Sequence, residues 1–225
     1  MRRRKYSHPI NQIFATGPEM PDPSNEKQST EAAEGAALAA LDRGIKLDQI
    51  QDVQGAIRAY RQAVELGQLS HTGPGREAGA QAAFNLGAVL GEVEDTAGTL
   101  RAYWVSVEMG RLSESTVGRE AGAAAAFNLG LMLEEAQAPG ALQAYRDSVE
   151  LGRLSETGAG REAWAKAAFG LALMLGEAKD VEGALHAYRD SVELGRLSET
   201  TEGFEARAKA SYNLSLLQKQ AHGAS

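Results

Sequence analysis

Residues 83–87 read Ala-Phe-Asn-Leu-Gly, and residues 98–103 read Gly-Thr-Leu-Arg-Ala-Tyr. Both runs come back along the chain. The first recurs unchanged at 126–130, then as Ala-Phe-Gly-Leu-Ala at 168–172 and Ser-Tyr-Asn-Leu-Ser at 211–215. The second is Gly-Ala-Ile-Arg-Ala-Tyr at 55–60, Gly-Ala-Leu-Gln-Ala-Tyr at 140–145 and Gly-Ala-Leu-His-Ala-Tyr at 183–188. Phe84, Phe127, Phe169 and Tyr212 stand 43, 42 and 43 residues apart, and Tyr60, Tyr103, Tyr145 and Tyr188 keep the same intervals. Both series lose one residue between Phe127 and Tyr145, at the turn containing Pro139. Two independent markers that agree on one deletion establish an internal repeat of 42–43 residues.

Each repeat reads as two helices. Over 76–93, Ala83, Leu86, Leu90 and Val93 fall on one helical face, as do Leu100, Tyr103 and Val107 over 97–109. Strand alternation is absent, so the fold class is all-α. Gly67, Gly110, Gly152 and Gly195 are expected to end the second helices, where glycine accepts a left-handed backbone at little cost. The leucine two positions later (Leu69, Leu112, Leu154, Leu197) is expected to pin the loop to the stack. The Ser, Thr and Gly runs that follow, such as 155–158, suit a turn and the next helix cap.

These residues resemble the tetratricopeptide repeat family with its Sel-like relatives. Leu86-Gly87 and Leu129-Gly130 are similar to the pair in that family's first helix, where glycine lets the partner helix approach. Ala56, Thr99, Ala141 and Ala184, each four before a tyrosine, resemble its Ala-x-x-x-Phe in the second helix. There are departures. Ala83, Ala126, Ala168 and Ser211 hold the family's tryptophan site, and Gln68, Arg111, Arg153 and Arg196 hold its proline site. The unit is also longer than the standard repeat of about 34 residues, the excess falling in the loop between units. The resemblance implies a right-handed helix-pair solenoid of about four repeats over residues 28–221. It would start with a helix at about 29–49 and close with a capping helix at about 203–221, polar at Gln218, Lys219 and Gln220. Residues 1–27 and 222–225 are left as tails, the first rich in proline and expected to be disordered.

Composition narrows the function classes. The 225 residues contain no cysteine, which removes disulfides, thiol catalysis and cysteine-ligated metals. The formal charge is −7, with +2 on residues 1–27 and −9 on the rest. So acidic a body repels nucleic-acid backbone and anionic membrane. No stretch reaches the ~18–20 apolar residues of a membrane span, and the polar residues and prolines after Met-Arg-Arg-Arg-Lys are not expected to serve as an export segment. The cytoplasm is the expected location.

Catalytic chemistry finds little support. The four histidines, His8, His71, His186 and His222, are scattered over tail, loop, helix and C-terminus. His71 takes a loop slot that Glu114, Glu156 and Glu199 fill elsewhere; His186 takes the slot of Arg58, Arg101 and Gln143. Such slots are solvent-facing. No metal-ligand spacing and no Gly-Lys-Ser/Thr phosphate loop is present, so neither enzyme, metal nor cofactor is expected. Ser113, Ser155 and Ser198 in the repeated Arg-Leu-Ser-Glu are read as turn residues rather than modification sites.

The resemblance further implies that the first helices line a concave surface for an extended peptide or a partner's helix. Its lining takes Phe84, Asn85 and Ala88 from the second repeat, and Phe127, Asn128 and Leu131 from the third. The fourth adds Lys166, Phe169 and Leu173, and the cap adds Lys209, Tyr212 and Asn213. Asn85, Asn128 and Asn213 share one slot, where an amide can donate to and accept from a peptide backbone. Glu92, Glu134, Glu135 and Glu177 border the surface and favour ligands with Lys or Arg beside apolar anchors. Trp104 and Trp164 occupy slots held by Arg61, Arg146 and Arg189, and by Gly79, Gly122 and Arg207. A tryptophan the repeat does not require is a candidate surface anchor. The expected function is a protein–protein interaction scaffold or adaptor. The alternative is a regulator whose basic tail contacts nucleic acid while the repeats sense a partner.

Overall fold

The computed structural model describes residues 23–153, 157–197 and 201–223. Among them every regular element is a helix: α1 (Pro23–Gln49), α2 (Val53–Leu69), α3 (Gly73–Glu92), α4 (Thr96–Leu112), α5 (Thr116–Glu135), α6 (Ala141–Gly152), α7 (Gly158–Glu177), α8 (Val181–Leu197) and α9 (Thr201–Gly223). Consecutive helices pack together, α1 on α2, α3 on α4, and so on to α8 on α9. The odd-numbered helices also pack on one another in series. Of the even-numbered ones, only α4 and α6 touch to any extent, so the odd helices form the inner row. Alanines make the close stacking possible: Ala82, Ala83, Ala125, Ala126, Ala167 and Ala168 are fully buried.

The helix ends are set by short-range chemistry. Asp52, Asp95 and Asp180 cap α2, α4 and α8 by accepting the amides of Gly55, Gly98 and Gly183 at 2.8–2.9 Å. Thr72, Ser115 and Thr157 do the same for α3, α5 and α7. The third unit departs. Its one-residue deletion leaves Ala138 where the aspartate stands, and the residue before α6 is Gly140 (φ 107°), which supplies no side-chain cap. α6 is also the shortest of these helices, 12 residues against 17 for α2, α4 and α8.

Two expectations about the loops are corrected. Gly67, Gly110 and Gly195 lie inside their helices, which run on to Leu69, Leu112 and Leu197, and Gly152 is the last residue of α6. None of the four has positive φ. They are needed for close approach instead: a Cβ on Gly67 would stand 2.7 Å from the Gly79 Cα, and one on Gly110 2.9 Å from that of Gly122. The left-handed residues sit at the other turns. Gln51, Glu94, Gln137 and Lys179 (φ 51–63°) close the odd helices α1, α3, α5 and α7. The amide after each reaches back to Leu47, Leu90, Leu133 or Leu175, so these turns are Schellman motifs without glycine. Leu69 and Leu112, the last residues of α2 and α4, do not pin the loops, being 68% and 61% exposed, while the side chain of Leu197 is outside those described.

The tyrosine stripe is core, with Tyr60, Tyr103, Tyr145 and Tyr188 all buried. Gly44, Gly87 and Gly130 make room for the first three rings, as the Leu-Gly pairs suggest, while Ala172 takes that slot beside Tyr188. A further lock was not read from sequence. The buried Ser106, Ser148 and Ser191 donate to the carbonyls of Ala80, Ala123 and Ala165, tying α4, α6 and α8 each to the odd helix before it at 2.8–2.9 Å.

Both ends of the array differ in detail from expectation. α1 begins at Pro23 rather than near residue 29. α9 buries Ala206 and Ala210, yet its outer side shows Phe204, Tyr212 and Leu216 at 46–70% exposure, so it is less polar than a cap is expected to be. The expectations for the tail over residues 1–22, for Leu154, for Ser155 and Ser198, and for residues 224–225 concern positions outside the described residues. No helix among the described residues is long and apolar enough to cross a membrane.

Candidate functional site

The inner row brings the repeated aromatics together in order. Phe84, Phe127 and Phe169, each half-buried, lean on the tyrosine of their own unit with ring centroids 6.0–6.2 Å apart. The asparagine that follows Phe84, Phe127 and Tyr212 reaches the tyrosine of the unit before. Asn128 Nδ2 donates to the Tyr103 hydroxyl and Asn213 Nδ2 to that of Tyr188, both at 3.3 Å. Asn85 pairs likewise with Tyr60. The asparagine series is therefore part of the joint between units, each amide spending one N–H on a tyrosine.

Burial raises the pKa of these tyrosines. For Tyr60 the charge of Asp48 adds to burial and the value is pushed up to about 12. Tyr103 and Tyr188 are raised by burial, partly offset by the bond from Asn128 or Asn213. Tyr145 is raised furthest, by burial first and then by Glu134. The reason lies at one position. Gly170 stands where an asparagine would, and the Tyr145 hydroxyl donates instead to Glu134 Oε2 at 2.5 Å. The ring leans into the space, since a Cβ on Gly170 would meet it at 2.9 Å.

At this break in the series a cavity of about 370 Å³ opens between α5, α7 and α9. Its apolar surface comes from Phe127, Leu131, Tyr145, Phe169 and Leu173. Glu134, Glu202 and Glu205 meet Lys166 and Lys209 around it. Both lysines are engaged on their own helices, Lys166 with Glu162 and Lys209 with Glu205, so the rim is acidic on balance. A smaller cavity of about 240 Å³ lies between α3, α5 and α7, lined by Phe84, Val117, Ala121 and Ala124.

Six of the twelve expected groove residues thus converge: Phe127, Leu131, Lys166, Phe169, Leu173 and Lys209. Ala88 is exposed on α3, and Phe84 lines the smaller cavity. Tyr212, 70% exposed, is not brought in; it lies with Phe204 and Arg207 in a separate shallow depression. Trp104 is 39% exposed, as a surface anchor would be. Trp164 is half-buried against Leu194, Ala165 and Ala206, an environment closer to core than to anchor. Sequence reasoning missed Tyr145, Glu202 and Glu205 as lining residues. The signal for the cavity was nonetheless present, as the change from Phe-Asn to Phe169-Gly170 in the repeated run.

Among the described residues no group of three His, Asp or Glu side chains is arranged to hold a metal ion. No protein-family model matches the chain, and no curated protein matches it. The crystal structure of BtubC (BKLC) from P. vanneervenii is similar over 89% of this chain and 91% of that one, with 14% identity and a TM-score of 0.47.

Proposed function

We propose that this chain is a non-catalytic interaction scaffold of the tetratricopeptide kind, a right-handed stack of four helix pairs closed by α9. Its inner row takes a peptide or partner helix that offers an apolar side chain next to Lys or Arg. The observation that carries this reading is the cavity at Gly170, where six residues that the family resemblance implies for the groove meet. Its ~370 Å³ is within the range of ligand-holding pockets, roughly 300–1,000 Å³. Apolar burial on Phe127, Phe169 and Leu173 supplies affinity, and the acidic rim sets choice of partner and on-rate.

Selection of a random peptide library on the full chain tests the reading. Recovered peptides should share an aliphatic or aromatic anchor beside a basic residue. Leu131 and Leu173 are 45% and 37% exposed, so Leu131→Glu with Leu173→Glu should leave the fold intact and abolish capture. Peptides that bind this variant as well as the parent chain would move the site off the inner row.

A further inference from the structure

An internal repeat supplies its own controls, because sister units show what the fold needs at each slot. Between the third and fourth even helices, Arg153, just after α6, reaches Asp190 of α8 at 3.8 Å. Between the second and third, Arg111 of α4 holds the buried Asp147 of α6 at 2.5 Å. The same two slots between α2 and α4 hold Gln68 and Val105, which cannot form that bridge. There a cavity of about 490 Å³ opens instead.

Two more departures border the same cavity. Trp104 replaces the arginine of all three sister units, and His71 replaces the glutamate of the sister loops. Four departures on one cavity are hard to ascribe to drift, since the slots are scattered over α2, the following loop and α4. The walls are apolar: Trp104, Val105, Met109 and Leu112. The polar groups at its mouth are mostly donors. Arg76 is half-buried there, and no hydrogen bond or ion pair among the described residues engages its guanidinium. Its counterpart Arg119 spends its Nε on the Ser113 carbonyl at 2.9 Å. The lining carboxylate, Glu108, is already held by Arg111 at 2.7 Å.

We infer that this cavity is a second binding site, for a small carboxylate with an aromatic or branched apolar body. The body lies against the Trp104 indole between Val105 and Met109, and the carboxylate is taken by Arg76 with His71 beside it. Planar guanidinium and carboxylate match geometrically, and a half-buried arginine without a partner gains most from one. The volume suits one ring and a short chain, within the ~300–1,000 Å³ of small-molecule sites. The site shares no residue with the inner-row cavity, so its failure would leave the scaffold reading untouched.

The probes are phenylbutyrate and phenylbutylamine, titrated calorimetrically into the full chain and followed in parallel by tryptophan fluorescence. The acid should bind saturably and at least about tenfold more tightly than the amine, as a charged hydrogen bond to arginine would give. Arg76→Met should erase that preference. Gln68→Arg with Val105→Asp copies the sister bridge and should close the cavity to both probes, with circular dichroism reporting the fold. Trp104→Arg, which copies three sister units, gives a second loss-of-binding test if the double variant folds poorly. Equal affinity for acid and amine, undiminished binding to a folded sister-copy variant, or no saturable binding to the parent chain would each overturn the inference.

Discussion

The Asn128 side-chain amide donates to the Tyr103 hydroxyl across the joint between α5 and α4, at 3.3 Å and 25 residues' separation. Asn213 and Tyr188 repeat the contact at the same separation and distance. An asparagine on the inner row thus closes the joint behind it. Asn128→Ala should cost about 1 kcal/mol in denaturant unfolding, the usual net value of such a bond. Combined with Tyr103→Phe it should cost little more than either change alone. Strictly additive losses would show that the pair is not coupled.

High pH should dissolve the array through its tyrosines. Burial, and secondarily Asp48, raises Tyr60 to about 12, and Tyr103, Tyr145 and Tyr188 are raised as well. The folded chain therefore keeps protons that the unfolded chain releases near the ordinary value of about 10. This stabilisation is complete below that value and is lost as the pH climbs toward about 12. Unfolding free energies measured at stepped alkaline pH, with tyrosinate absorbance read alongside, should fall across that window. A flat profile would place the hydroxyls in water.

Arg111 and Asp147 make the most consequential ion pair between units. Asp147 is 1% exposed; Gln143 and Arg111 both address its Oδ1, and its Oδ2 is buried without a partner. Removing the arginine strands a buried carboxylate, so Arg111→Met should cost about 3 kcal/mol. Asp147→Val, the residue found at the equivalent Val105, should restore most of that loss in the double variant. If Arg111→Met is neutral in thermal unfolding, the carboxylate is already satisfied without it.

Glu94 holds a left-handed backbone, φ 61°, at the end of α3. A side chain there costs energy that glycine escapes, although glycine also loosens the unfolded chain. The balance predicts that Glu94→Gly stabilises by about 0.5–1 kcal/mol. Lys179→Gly, at the matching turn with φ 63°, should behave alike. A drop in melting temperature for both would mean their side chains hold the turn together.

The period of 42–43 residues was legible as plain repetition, and the helix pairs, the serine and threonine caps and the buried tyrosines were legible because each rests on neighbours a few positions apart. Apolar spacing decides which face of a helix turns inward, and a cap needs only the residue three places on. What the tertiary structure decided is which side chain meets which across the stack. Gly67 looked like a helix stop until Gly79 of the next helix was found against it. Asn128 looked free until the Tyr103 hydroxyl came into reach, and Leu112 looked pinned until it was seen in solvent. The cavities follow the same rule. Gly170, Gln68 and Val105 were visible as breaks in the repeat. That each break leaves a hollow depends on how far neighbouring helices stand apart, a distance set by packing of the whole array.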